Sequence, residues 1–174
     1  MGRVLLRIPK NTYAEIRSHL IREGSAVEEA GFVFGHHKSV DHDDVFDFQE
    51  WYPVPADGFV VQSHAHFELT DETRAAIIKR AHDLDASIVE FHSHTGPWPA
   101  CFSLSDLLGF DEFVPHVWWR LKGKPYLAVV MTRKDFDGLV WVVAPESPQH
   151  LDGIEIQGSI LKPTQRSPLR SEVL

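Results

Sequence analysis

Two histidines, a serine and an aspartate fall within one short stretch, VEFHSHTGPWPACFSLSD at residues 89–106. His92 and His94 follow a β-prone run at residues 87–91. Alternate side chains of a strand share a face, so both imidazoles can reach one ion from a single rigid element. Ser103, Leu104, Ser105 and Asp106 open an apolar segment of helical character, where residues three apart are neighbours, so Ser103 and Asp106 can both look back toward the histidines. Asp106 is then the third ligand. Two histidines and a carboxylate leave a fourth tetrahedral position for water, the arrangement of catalytic rather than structural zinc sites. Zinc lowers the pKa of bound water to roughly 7 and polarises a carbonyl, which suits hydrolysis of an amide-like bond. Such a site needs a proton carrier. The upstream candidate is Glu28 in VEEAGFVFG at residues 27–35, with Glu29 as a fallback that strand alternation turns to the opposite face.

These pieces, Glu28-x-x-Gly31, His92-Ser93-His94 and Ser103-x-x-Asp106 in that order, resemble the JAMM (JAB/MPN+) metalloprotease family. Glu28 to Gly35 follows the family's first element position by position. Thr95 stands where the family has proline, and the eight residues between His94 and Ser103 are one more than its spacing. The likeness in order and expected secondary structure spans about residues 10–145. It implies an α+β domain of the MPN/JAB, cytidine-deaminase-like type, a mixed curved sheet flanked by helices. It also implies one Zn²⁺ on His92, His94 and Asp106, with Glu28 moving the proton and Ser103 donating to the oxyanion or the water. Family members cleave peptide or isopeptide bonds after the carboxyl end of ubiquitin-like proteins. The expected partners are therefore a ubiquitin-like protein or its conjugate, with the activating and conjugating enzymes of the same system; a sulfur-carrier protein of that fold is another substrate. The competing reading is an inactive scaffold of the same fold that only binds protein partners, and a third is a zinc enzyme acting on small amides.

Each element also has a plainer reading. Ser103-x-x-Asp106 is equally a helix capping box. Glu28 can be a solvated charge before a buried strand. Cys101, between His94 and Asp106, can ligate metal or serve as a small, partly buried filler. A second His-x-His, His64-Ala65-His66, rivals the first but has no comparable acid spacing after it, and could line a substrate groove. The acidic loop at residues 41–44 offers a second metal site or a solvated turn. Trp98 either shapes access to the metal or packs its loop down.

The 174 residues, 43% hydrophobic, suit one domain with a sizeable core, expected at residues 1–162, with a flexible polar tail at 163–174. The formal charge of −8 disfavours nucleic acid and anionic membranes, which call for positive charge. The single cysteine excludes an internal disulfide and fits a reducing compartment. The apolar stretch near the start is too short for a signal peptide, Leu6 stands where a myristoylation signal has serine or threonine, and no run reaches the ~20 apolar residues of a membrane span. A cytoplasmic location is the expectation.

The supporting elements follow from patterning. Residues 3–8 form a strand ended by Pro9. A helix then opens with Thr12 and Glu15 spaced as a capping box, burying Tyr13, Ile16 and Leu20. Strands are expected at residues 30–34 and 45–52, with a turn at 35–38. A helix at 71–82 buries Ile77, Ala81 and Leu84 and leads into the strand with His92 and His94. The helix after Asp106 should stop before Pro115, with strands at 117–121, 126–132 and 138–143, the tryptophans 118, 119 and 141 in core or sheet-face positions, and an edge strand within 154–161.

Overall fold

The computed structural model describes residues 2–169. Its strands are β1 (Val4–Arg7), β2 (Ala30–Val40), β3 (Asp43–Pro53), β4 (Phe59–Gln62), β5 (Phe67–Leu69), β6 (Ser87–Ser93), β7 (Tyr126–Met131), β8 (Phe136–Trp141), β9 (Gln149–His150), β10 (Gly153–Ile156) and β11 (Ser159–Leu161). The helices are α1 (Lys10–Leu20), α2 (Asp71–Asp83) and α3 (Leu104–Arg120). Among the described residues, nine strands form one mixed sheet in the order β11-β10-β1-β3-β2-β6-β7-β8-β9, and β4 pairs with β5 as a separate hairpin. This is the expected α+β class. No helix among the described residues is long and apolar enough to cross a membrane.

The sheet is covered on both faces, so its central strands are buried along their whole length. Every residue of β6, β7 and β8 is buried. Alternation then sorts their side chains between two cores. Val89, Phe91, Leu127 and Val129 pack with Ile16 and Leu20 of α1, while Ile88, Tyr126, Ala128 and Val130 pack with Ile77 and Ala81 of α2 and Val114 and Val117 of α3. Glu90 and His92 share the parity of Ile88, which puts them on the α2/α3 face. Gly31 is required by a close approach: a Cβ there would lie 2.1 Å from the Trp51 ring, which crosses β2 beside the site.

Several elements differ from the sequence expectation. β2 runs on through residues 35–40, and the turn comes at Asp41 and His42, both at positive φ (50° and 74°). The consecutive polar residues of its outer half, His36 to Ser39, pair with β3 to the end, so the hairpin closes at the acidic loop instead of at Gly35. α1 starts at Lys10 behind Pro9, without a side-chain cap. α3 continues past Pro115 to Arg120 and absorbs the strand expected at 117–121. A proline inside a helix costs about 3 kcal/mol, but carrying the helix past it buries Val117 and Leu121, worth roughly 1.5–3 kcal/mol each. Trp119, on the far side of α3, is 74% exposed, whereas Trp141 is buried as expected. The edge strand at 154–161 is a hairpin, β10 and β11, turning at Gln157 and Gly158.

Residues 163–169, within the expected tail, lie against β8. Thr164 N donates to Phe136 O, and the fully buried Asp137 carboxylate accepts from Gln165 N at 3.0 Å and Ser167 N at 2.8 Å. The remainder of that stretch, 170–174, falls outside the described residues.

Candidate metal centre

β6 carries His92 to a place where one ring edge is committed. The imidazole is 1% exposed and lies between Phe67 and Phe102, with ring centroids 5.3 and 5.6 Å away. His94 follows as the chain leaves the sheet, its N donating to Met131 O at 3.0 Å. The two Nε2 atoms are 3.2 Å apart. Asp106 Oδ2, from the first turn of α3, is 3.1 Å from His94 Nε2 and 3.4 Å from His92 Nε2. A tetrahedral zinc with bonds of about 2.0–2.2 Å sets neighbouring ligand atoms about 3.3–3.6 Å apart. The three separations match one face of such a tetrahedron closely enough for a shared cation to fit.

Asp106 is a cap at the same time. Ser103 Oγ accepts from Asp106 N at 3.1 Å, and Ser103 N donates to Asp106 Oδ2 at 2.8 Å, a complete capping box. The capping geometry and the ligand geometry are therefore compatible. The box fixes the carboxylate rotamer, and the oxygen it fixes is the one facing both imidazoles.

Glu28 arrives from the neighbouring strand. Ala30 pairs with His92 across β2 and β6, and the ladder extends through Ser93 N to Glu29 O, so two further residues in each direction set Glu28 across from His94. Glu28 is 4% exposed, with Oε1 3.9 Å from His94 Nε2. Its backbone is held on the other side by the β4–β5 hairpin, its N donating to Ser63 O and its O accepting from Gln62 Nε2. Glu29 turns away, its Oε1 4.0 Å from Arg22 Nε. Ser93, which sequence reasoning passed over, locks the two strands together: its Oγ accepts from Glu29 N at 2.9 Å. Its position between two ligands was the available signal, since alternation points it to the opposite face.

The buried carboxylates and the His92 imidazole shift one another's pKa values. Burial raises the pKa of Glu28 above the usual carboxylate range, although positive charge on His92 and His94 would oppose this. Burial also penalises ionisation of Asp106, but charge on His92 and hydrogen bonds from both imidazoles and Ser103 N outweigh it and hold the carboxyl well below its ordinary value. For His92 burial alone would favour the neutral ring; the Asp106 and Glu90 carboxylates reverse this and push it up to about 10.

Among the described residues, His92, His94 and Asp106 form a group able to hold a metal ion. Cys101 is not in it. Its Sγ faces Phe102 O and Arg166 O at 3.5 Å, and burial pushes the thiol up. His64 and His66 sit on the β4–β5 turn, outside the group, with Thr95 Oγ1 donating to His64 O. His66, Glu68, Arg74, Glu90, Asp106 and Phe113 line a cavity of about 270 Å³ beside the centre. Trp98 is 77% exposed at the tip of the loop between His94 and α3. No protein-family model matches the chain, and no curated protein matches it.

Proposed function

We propose that the protein is a zinc-dependent peptidase or isopeptidase that cleaves after the carboxyl terminus of a ubiquitin-like protein. The observation that carries this reading is the mutual approach of His92 Nε2, His94 Nε2 and Asp106 Oδ2 at 3.1–3.4 Å, with the buried Glu28 3.9 Å from His94. Three protein ligands of this type suit a catalytic ion with an open position. Zinc held there would supply a Lewis acid and an acidified water for amide hydrolysis.

The chain's own groups supply the rest. Glu28 accepts a proton from the attacking water and returns it to the departing amine. Burial, which raises its pKa in the metal-free protein, favours its taking up a proton. The Ser103 hydroxyl, whose oxygen accepts from Asp106 N, keeps its own hydrogen for the developing oxyanion. The β4–β5 hairpin, tied to Glu28 through Ser63 and Gln62, presents exposed Val60 and Val61. An extended, glycine-ended tail could add as a strand on such an edge and reach the centre.

The substrate class rests on the JAMM resemblance, as does assignment of the sheet to the MPN/JAB, cytidine-deaminase-like fold; the central β2-β6-β7 strands with helices on both faces support that assignment. The test is incubation of the zinc-loaded protein with linear and isopeptide fusions of ubiquitin-like proteins, with mass spectrometry of the new carboxyl terminus. Cleavage after the terminal glycine, lost in Glu28→Gln, is expected. Zinc binding without cleavage of any such fusion would reject the substrate assignment, and absence of zinc binding would favour the scaffold.

A further inference from the structure

A histidine that gives one ring nitrogen to a cation carries its proton on the other, and in a buried ring that proton needs an acceptor. His92 Nε2 faces His94 and Asp106. Its Nδ1 is buried and has no hydrogen-bond partner among the described residues. The carboxylate within reach is Glu90, whose Oε1 is 3.6 Å away. Glu90 precedes His92 by two residues and so shares its face of β6.

Glu90 is 8% exposed, and burial of a carboxylate is unfavourable unless its oxygens are used. One of them is: Tyr126 O–H donates to Oε2 at 2.6 Å. Tyr126 is fully buried at the start of β7, next to β6, with its ring against Phe113 and Trp141. The tyrosine therefore anchors one carboxylate oxygen from a rigid position and leaves the other 3.6 Å from His92 Nδ1.

We propose that Glu90, anchored by Tyr126, is a positioning residue that accepts a hydrogen bond from Nδ1–H of His92, fixing the tautomer and ring orientation that present Nε2 to the metal. This rests on reading His92, His94 and Asp106 as a metal centre. Glu90 touches neither substrate nor ion; it acts through His92. Partners of this kind typically change metal affinity by about 10–100-fold when lost.

The test compares wild type with Glu90→Gln, Glu90→Leu, Tyr126→Phe and His92→Ala. Zinc affinity is measured by competition with a chromogenic chelator, coordination by the visible spectrum of the Co²⁺ form, and stability by melting of the metal-free proteins. Glu90→Leu, with no acceptor, is expected to weaken zinc binding about 10–100-fold and alter the cobalt spectrum. Glu90→Gln, nearly isosteric and still offering an oxygen, should recover part of that loss. Tyr126→Phe should weaken binding in the same direction, by less. Wild-type affinity and an unchanged cobalt spectrum in Glu90→Leu and Glu90→Gln, with only the melting temperature lowered, would overturn the positioning role while leaving the metal centre standing. Failure of wild type to take up zinc, or equal uptake by His92→Ala, would overturn the metal centre and this inference with it.

Discussion

Asp106 is asked to do two things with one oxygen, and substitutions can pull them apart. Ser103→Ala removes the hydroxyl that accepts from Asp106 N, while Ser103 N still donates to Asp106 Oδ2. Loss of an N-cap of this kind costs about 0.5–2 kcal/mol. In a chain of this size each kcal/mol lowers the melting temperature by about 2–4 °C, so a fall of a few degrees is expected with zinc affinity little changed. Asp106→Asn is the converse. Its amide oxygen can still accept from Ser103 N, but the negative charge 3.1 and 3.4 Å from the two imidazoles is gone. The loss of zinc affinity should exceed the roughly 10–100-fold typical of an outer-shell partner, because a ligand is weakened directly. Chelator competition gives the affinity, and melting of the metal-free proteins shows whether the fold is kept. If Asp106→Asn binds zinc as tightly as wild type and only melts earlier, the aspartate is a cap alone and the ligand assignment is wrong.

Glu28→Gln should retain zinc and lose about 10²–10⁴-fold in turnover, whereas Glu29→Gln, on the face toward Arg22, should leave turnover near wild type; single-turnover cleavage of a fusion substrate distinguishes them, and equal effects would show that Glu28 is not the proton carrier. In the metal-free protein, a His92 pKa raised from 6.5 to about 10 by Asp106 and Glu90 against burial gives stability fully present below 6.5 and lost as pH rises through about 10. The melting temperature of the metal-free form should accordingly drop across that window. The drop should shrink when zinc holds the ring neutral, and a metal-free profile flat over the same range would contradict the charged pair. Asp137→Asn replaces one of the two oxygens that accept from Gln165 N and Ser167 N, so one buried N–H loses its acceptor at about 1–3 kcal/mol. An unchanged denaturant midpoint would mean that residues 163–169 are not held there.

What could be read ahead of the structure was whatever depends on short-range periodicity. Alternation through β6 and one residue beyond it puts His92 and His94 on one side, and the three-residue step from Ser103 to Asp106 survives as a capping box facing the histidines. The α+β class follows from the same patterns. Features set by tertiary burial were not legible. Pro115 signals a helix end, but the apolar face of α3 keeps the helix going. The continuation of β2 beyond Gly35 depends on its pairing with β3, which no local signal encodes. No local pattern singles out Glu90, because its anchor, Tyr126, is brought in by the parallel pairing of β6 with β7. Residues 163–169 read as polar tail because their anchor, Asp137, lies in β8 and contacts them only through backbone N–H groups.

The central claim is that two imidazoles and one carboxylate hold a single zinc ion, and a zinc titration of metal-free protein, with His92→Ala/His94→Ala alongside, tests it most directly. One zinc per chain in wild type and none in the double variant is the predicted result. A wild-type protein that binds no zinc, or a double variant that binds it equally well, would contradict the account.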